Sequence, residues 1–260
     1  MTDLHIHTSI SHDSKENAEN YVLRAIAQSE KYLGFAEHLD GDGANLPPDL
    51  ERYDEIIKNL KIKYPDVGIL KGIELGFADT AAALYRKILA ENDFDYAILS
   101  VHTLPGRGDC YYPSFYNGWS ARQSYEAYLQ AVLGSARADL DFHIIGHLGY
   151  ISRYAPYVNQ PLAYKDFKEL FDRILLSIIE RGICLEINTS AGGLDRTFVT
   201  ETRILERYIE LGGKDFTFGS DAHGVSRYGQ NASAVKEFLL SHGINHICRF
   251  EKRLKIYEPI

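Results

Sequence analysis

The chain has 260 residues, of which 45% are hydrophobic and 25% are charged. This composition is typical of a globular protein with a sizeable core, and it excludes a disordered or fibrous chain. The formal net charge is −8, so we expect no nucleic-acid partner, because binding to nucleic-acid phosphates depends on basic patches.

No segment of the sequence predicts export or membrane insertion. The longest apolar runs, such as residues 174–179, are too short to span a bilayer, and the N-terminus shows neither the basic region nor the apolar region of a signal peptide. Cys110, Cys184 and Cys248 form no CxxC pair, so neither a disulfide framework nor a zinc finger is indicated. We expect a cytoplasmic protein with no membrane partner.

Short apolar runs alternate with longer amphipathic stretches along the chain. Seven runs have the length of buried strands: residues 4–7, 33–36, 67–75, 96–101, 142–146, 183–187 and 216–219. Seven stretches have helical periodicity: residues 19–30, 53–62, 81–91, 122–138, 164–181, 201–211 and 232–242. This alternation predicts a parallel α/β architecture, in either an open sheet or a closed barrel. The absence of repeats and linkers favours one domain over residues 1–260.

A potential metal ligand stands at the C-terminal end of every predicted strand. In chain order these are His5 and His7, Glu37-His38, Glu74, His102, His147, Glu186 to Asn188, and Asp221 with His223. Barrel enzymes build their sites at this end of the strands, so the pattern favours the barrel. His, Asp and Glu are ligands of zinc, manganese and iron. A lone histidine is more often structural, and we interpret His143, His242 and His246 in that way. Candidate ligands at the C-terminal ends of all seven predicted strands, in contrast, predict a metal site.

Three motifs that are typical of serine hydrolases and nucleotide-binding enzymes do not occur in the sequence. The sequence has no Gly-x-Ser-x-Gly nucleophile elbow, no Walker A loop and no Gly-x-Gly-x-x-Gly after a strand.

The order of these motifs resembles the PHP (polymerase and histidinol phosphatase) superfamily. The resemblance lies in Asp3-x-His5-x-His7 with Ser11-x-Asp13, Glu37-His38, Gly72-Ile73-Glu74, Ser100-Val101-His102, Gly146-His147 and Gly219-Ser220-Asp221-Ala222-His223. Within the superfamily, the chain length and residues 35–38 and 186–190 are most similar to the histidinol-phosphate phosphatases. The resemblance implies a single-domain distorted (β/α)7 TIM-like barrel with two to three divalent metal ions, Zn, Mn or Fe.

The resemblance also implies a ligand set and catalytic residues. The first metal would be held by His5, His7, Glu74 and Asp221, the second by Glu74, His102 and His147, and the third by Asp13, His38 and His223. His12 is an alternative to Asp13, which we favour. Glu74, Asp221 and His223 would be catalytic, with Asp221, His223 or water as the proton donor.

Four arginines fall in loops on the predicted catalytic side: Arg153, Arg196, Arg227 and Arg107. Because an arginine binds phosphate bidentately, we expect substrate binding from this group, first of all from Arg153. The long loop of residues 104–120 carries Tyr111, Tyr112, Phe115, Tyr116 and Trp119. These rings either form the wall of a substrate pocket or pack the loop, and the sequence leaves both open.

The expected function is a phosphoric monoester hydrolase that converts L-histidinol phosphate to L-histidinol and phosphate in histidine biosynthesis. The alternatives are a phosphatase of another small phosphomonoester, such as a nucleotide or a sugar phosphate, a 3′-to-5′ exonuclease module, and a non-enzymatic metal-binding module. Nine candidate ligands exceed the four of a structural zinc site, which disfavours the last.

Overall fold

The computed structural model describes residues 1–41, 43, 45–192, 194 and 196–260. Within them, the α-helices are Ala18–Ala27 (α1), Leu50–Lys63 (α2), Ala82–Glu91 (α3), Ala121–Arg137 (α4), Lys168–Glu180 (α5), Thr202–Glu210 (α6) and Ala232–Ser241 (α7). The strands are Tyr32–Asp40 (β1), Gly68–Gly76 (β2), Tyr96–Ser100 (β3), Thr103–Leu104 (β4), Gly108–Asp109 (β5), Ile144–Ile145 (β6), Cys184–Asn188 (β7), Phe216–Gly219 (β8), His246–Glu251 (β9) and Leu254–Pro259 (β10). None of the described helices combines the length and the apolar character that a membrane crossing needs.

Six strands form one parallel sheet in the order β1-β2-β3-β6-β7-β8. Residues 3–7 lie between its two edges. Leu4 N–H donates to the carbonyl of Phe218 in β8 at 2.9 Å, and Gly34 N–H in β1 donates to the carbonyl of Asp3 at 2.8 Å. The contacts of residues 3–7 with β8 are isolated parallel bridges and not a regular ladder. They complete a ring of seven parallel segments, which confirms the predicted distorted (β/α)7 barrel.

Caps and terminating glycines explain why the helices begin and end where the sequence predicts. The Ser120 hydroxyl accepts a hydrogen bond from Gln123 N–H, and the Gln123 side chain reciprocates at the Ser120 N–H, which is a capping box at the start of α4. Gly182 follows α5 with a φ of 65°, a left-handed conformation that a glycine adopts without strain.

A C-terminal hairpin closes the N-terminal end of the barrel. Cys248 and Phe250 of β9 pack into a buried cluster with barrel residues that include Leu4, Tyr96 and Cys184. The sequence does not predict this hairpin. Its two-residue turn consists of Lys252 and Arg253, at φ values of 49° and 68°, and not of the usual Asn-Gly or Asp-Gly. All three cysteines are buried and free of disulfide bonds.

Candidate metal centre

Glu74 lies at the centre of the strand ends and faces two pairs of histidines. Its Oε2 atom lies 3.2 Å from His5 Nε2 and 3.7 Å from His7 Nε2. Its Oε1 atom lies 2.9 Å from His147 Nε2 and 3.3 Å from His102 Nε2. The Oε2 atom also lies 2.8 Å from His38 Nδ1. The two carboxylate oxygens therefore face different histidines, which is the arrangement expected of a carboxylate between cations.

Asp221, which follows β8, faces the same two histidines, His5 and His7, as Glu74 Oε2. Its Oδ1 atom lies 3.3 Å from His7 Nε2 and 4.0 Å from His5 Nε2. The strand β8 ends at Gly219, and Asp221 has a φ of 51°, a left-handed conformation that is uncommon outside glycine. A turn, and not a continuing strand, brings this carboxylate to the site.

Asp13 joins His38 and His223 at the outer side of the cluster. Its Oδ2 atom lies 2.9 Å from His223 Nε2 and 3.5 Å from His38 Nε2, while His38 Nδ1 lies 2.8 Å from Glu74. His12 is exposed, and its ring centre lies 5.4 Å from that of His38. Of the two adjacent candidates, Asp13 has the direct contacts.

Four overlapping groups of residues bring potential ligand atoms within 4.8 Å of one another: His5, Glu74 and His147; His5, His7 and Asp221; His38, Glu74 and His102; and His7, His38 and His223. The groups share members, so the cluster is one continuous centre and not several separate sites.

The chemistry of these side chains fits divalent cations. His5 Nε2, His7 Nε2 and Glu74 Oε2 are buried and make no well-oriented hydrogen bond within the described chain. Burial, together with His38 and His223, lowers the pKa of His7 well below its ordinary value, so its lone pair is available. Burial alone would raise the pKa of Glu74, but the surrounding histidines hold it well below its ordinary value. Buried polar atoms with this chemistry fit a divalent cation as their partner.

Two carboxylates that the sequence analysis did not assign hold the histidines in place. Glu186 Oε1 lies 2.5 Å from His5 Nδ1, and Asp40 Oδ1 lies 3.1 Å from His102 Nδ1. A Cβ atom at Gly219 would lie 2.1 Å from the Glu186 carboxylate, so only a glycine permits this approach. Asp40 could have been found from its spacing, because it stands two residues after His38 on the same side of β1.

Six members of the cluster form the floor of a cavity of about 530 Å³: Asp13, His38, His102, His147, Asp221 and His223. His5, His7 and Glu74 are buried and do not line it. Arg153 and Arg227 line this cavity, and Arg153 Nη1 lies 3.3 Å from Asp221 Oδ2. Arg196 instead donates to the carbonyl of Val199 at 2.6 Å, and Arg107 stacks on Trp119 at 3.7 Å; neither is among the residues that line the cavity. The structure therefore places two of the four predicted arginines on the cavity wall, and one of them, Arg153, contacts a candidate ligand.

Aromatic rings form one wall of the cavity. The Tyr150 ring lies 5.0 Å from His102, Tyr154 lies 5.2 Å from Tyr150, and Tyr111 lies 5.0 Å from Tyr154. Tyr111 and Tyr112 line the cavity, whereas Phe115 and Tyr116 are buried within the loop of residues 104–120. Both roles that the sequence left open for this loop are thus realised, by different residues.

Comparisons with known proteins agree with this geometry. A model of the PHP domain family matches residues 3–190. A probable histidinol-phosphatase of Clostridium acetobutylicum is 33% identical over 261 residues, with 98% of each chain covered. The histidinol-phosphatase of Lactococcus lactis is 27% identical over 252 residues, which cover 95% of this chain and 93% of the relative.

Solved structures show the same fold. The crystal structure of the Lactococcus lactis histidinol phosphate phosphatase, complexed with zinc, L-histidinol and phosphate, superposes with a TM-score of 0.91 at 26% identity and covers 98% of both chains. A putative histidinol phosphatase of Listeria monocytogenes gives a TM-score of 0.78 at 25% identity, with 90% of this chain and 99% of the other covered. The family match, the identity over the full length and the shared barrel lead to one conclusion: the chain belongs to the PHP domain family.

Proposed function

We propose that this protein is a metal-dependent phosphatase that hydrolyses L-histidinol phosphate to L-histidinol and phosphate. The observation that carries the proposal is the convergence of nine histidine and carboxylate side chains in one cluster, six of which line a single cavity. The relative from Lactococcus lactis supports it, because that structure contains zinc, L-histidinol and phosphate, and the last two are the products of the proposed reaction.

The ligand assignment follows the contacts around Glu74. We assign the first ion to His5, His7, Glu74 and Asp221, the second to Glu74, His102 and His147, and the third to Asp13, His38 and His223. Two to three divalent ions, zinc, manganese or iron, would occupy them, since mixed histidine and carboxylate ligands suit all three metals. When bound, the ions would neutralise the phosphate charge and lower the pKa of an attacking water molecule.

The other residues of the cavity bind and orient the ester. Arg153 and Arg227 lie on the wall of the cavity. From there their guanidinium groups can bind the oxygens of a phosphate group that is held at the floor. The leaving oxygen takes up a proton. In an enzyme that holds two ions, we assign this proton to His223, the most accessible candidate donor, with 33% of its side chain exposed; with a third ion bound to His223, a water molecule would supply it. The Tyr150 and Tyr154 rings cover the side of the cavity and limit the access of water.

We further propose that residues 1–260 act as one domain in a reducing cytoplasm. The three unpaired thiols support this placement. The net charge of −8 disfavours nucleic acid as a partner.

The test is a phosphate-release assay on protein reconstituted with Mn²⁺ or Zn²⁺. We expect kcat/KM for L-histidinol phosphate to exceed that for nucleoside monophosphates and sugar phosphates by at least about tenfold, the effect of one charged or bidentate contact. Equal or higher kcat/KM for a nucleotide or a sugar phosphate would overturn the substrate assignment and favour the other small phosphomonoesters.

A further inference from the structure

A carboxylate without a cationic partner lies on the wall of the cavity. Asp109 belongs to the short strand β5 in the long loop after β3, and it lines the cavity above the histidine cluster. Its Oδ1 atom accepts a hydrogen bond from Tyr111 N–H at 2.7 Å and one from the Tyr150 hydroxyl at 3.4 Å. Within the described residues, no lysine or arginine forms an ion pair with it.

The negative charge of Asp109 is unfavourable for the binding of a phosphate ester. A cavity that binds a phosphate dianion gains from positive walls, and a half-buried carboxylate in it repels the dianion. The neighbouring Asp40 differs, because its oxygens are engaged by His102 and by the Asn45 amide. Asp109 has no such cation, so its negative charge is available to a ligand.

Asp109 lies close enough to the histidine cluster to contact a second charged group of a ligand whose phosphate binds at that cluster. The Tyr150 ring that donates to Asp109 lies 5.0 Å from the His102 ring and 5.1 Å from the His147 ring. One aromatic side chain therefore separates Asp109 from the candidate metal ligands. A compact ester with its phosphate on the floor can place a nearby ammonium group against this wall.

We propose that Asp109 binds the ammonium group of the substrate and thereby selects phosphate esters that carry a protonated amine close to the ester oxygen. The inference rests on the proposed function, because L-histidinol phosphate carries its amine on the second carbon from that oxygen. Asp109 is then the residue that separates this ester from neutral sugar phosphates of similar size.

The experiment compares L-histidinol phosphate with the same ester lacking the amino group, in the metal-loaded enzyme and in Asp109→Asn. The amide keeps the acceptor for Tyr111 N–H and removes only the charge. In the wild type we expect kcat/KM for the deamino ester to be lower by about ten- to a hundredfold, the effect of losing a hydrogen bond between charged groups. Asp109→Asn should act on both esters within about threefold of each other, with unchanged metal content and unweakened inhibition by inorganic phosphate.

A surface carboxylate supplies the matched control. Asp66 is exposed just before β2, at the opposite end of the barrel, so Asp66→Asn removes the same charge and should keep the wild-type preference. If the wild type hydrolyses both esters equally, or if Asp109→Asn keeps the full preference, the assignment of Asp109 is wrong. An enzyme that prefers nucleotides or sugar phosphates over both esters would instead contradict the proposed function. Equal hydrolysis of the two esters by the wild type overturns the proposal even if the variant does not fold.

Discussion

The Oε1 atom of Glu186 lies 2.5 Å from the Nδ1 atom of His5, and both side chains are buried behind the metal centre. The other oxygen of Glu186 accepts a hydrogen bond from the main-chain N–H of His147 at 2.6 Å. One carboxylate thus fixes two histidines that approach Glu74 from different strands. A proton on His5 Nδ1 leaves Nε2 free to bind a cation.

Glu186→Gln should weaken metal binding without removing a candidate ligand. An amide has one oxygen, so it cannot accept hydrogen bonds from both His5 and His147 as the carboxylate does. We expect metal affinity to fall by about ten- to a hundredfold, as is usual when the partner of a metal-binding histidine is lost. The measurement is a competition titration with a chromogenic chelator. Glu55→Gln, on the exposed face of α2, is the control, and wild-type affinity in Glu186→Gln would rule out this role.

Glu74→Gln should affect both halves of the metal centre at once. The substitution keeps the side-chain volume but removes the charge that faces His5 and His7 on one side and His102 and His147 on the other. We expect metal content, measured by elemental analysis, to fall, and kcat to fall by a factor of about a hundred or more. Turnover and metal content like those of the wild type would mean that the active site lies elsewhere.

Arg153→Ala should weaken phosphate binding while the metals remain. The Arg153 side chain is 17% exposed and points to Asp221, so it is placed between the cavity and the cluster. We expect a lower kcat/KM for L-histidinol phosphate, a higher inhibition constant for inorganic phosphate and unchanged metal content. Arg153→Lys should restore only part of the loss, because an ammonium group cannot form the bidentate contact.

The control for Arg153 is Arg86→Ala, which removes an exposed arginine paired with Asp139 on the surface. Its kinetics should match the wild type. Should Arg153→Ala also stay within twofold of the wild type, phosphate binding would fall to Arg227, the other arginine on the cavity wall.

His143 should make stability depend on pH independently of the metal centre. Its Nδ1 atom accepts a hydrogen bond from Ala97 N–H at 3.1 Å, and its ring packs on Phe250. Burial lowers the pKa of His143 to about 4 in the folded chain. In the unfolded chain this pKa has its ordinary value of about 6.5, so the unfolded chain binds the proton more tightly than the folded chain. The free energy of unfolding should therefore decrease as the pH falls from about 6.5 to about 4.

The test is urea unfolding between pH 7 and pH 4 for the wild type and for His143→Gln, which keeps an acceptor but does not titrate in this range. Protonation of the metal centre acts on both proteins equally, so the difference between their curves isolates His143. A difference that does not change with pH would show that His143 titrates normally.

The sequence predicts the helices and the ligand-bearing strand ends well, for physical reasons that act locally. The predicted helix over residues 122–138 is observed as Ala121–Arg137, because its periodicity and its capping box lie within a few positions of one another. Parallel strands also place their C-terminal ends at one edge, so the positions of His102 and His147 along the chain suffice to bring them together.

Features that depend on distant contacts or on side-chain direction are not predictable in this way. Arg196 stands in a loop on the catalytic side, yet its guanidinium group turns to the carbonyl of Val199. A loop position does not determine where a long side chain points. The sequence pattern of β7 shows only that Glu186 lies near the site. It does not show the partner of Glu186, because His5 is 181 positions away in the chain. The β9–β10 hairpin was missed because its turn lacks the residues that usually signal one.

The closure of the barrel by residues 3–7 has a consequence for the order of folding. Ser220 N–H donates to the Asp3 carboxylate across 217 positions of the chain, so residues 3–7 can pair on both sides only after the last barrel strand has formed. Contacts of such sequence separation form slowly, because a long loop has to close first. His5 and His7 belong to residues 3–7. Asp221 follows β8, the strand with which these residues pair. The metal centre is therefore complete only when this long-range closure has formed, and metal ions present during folding should favour completion of the barrel.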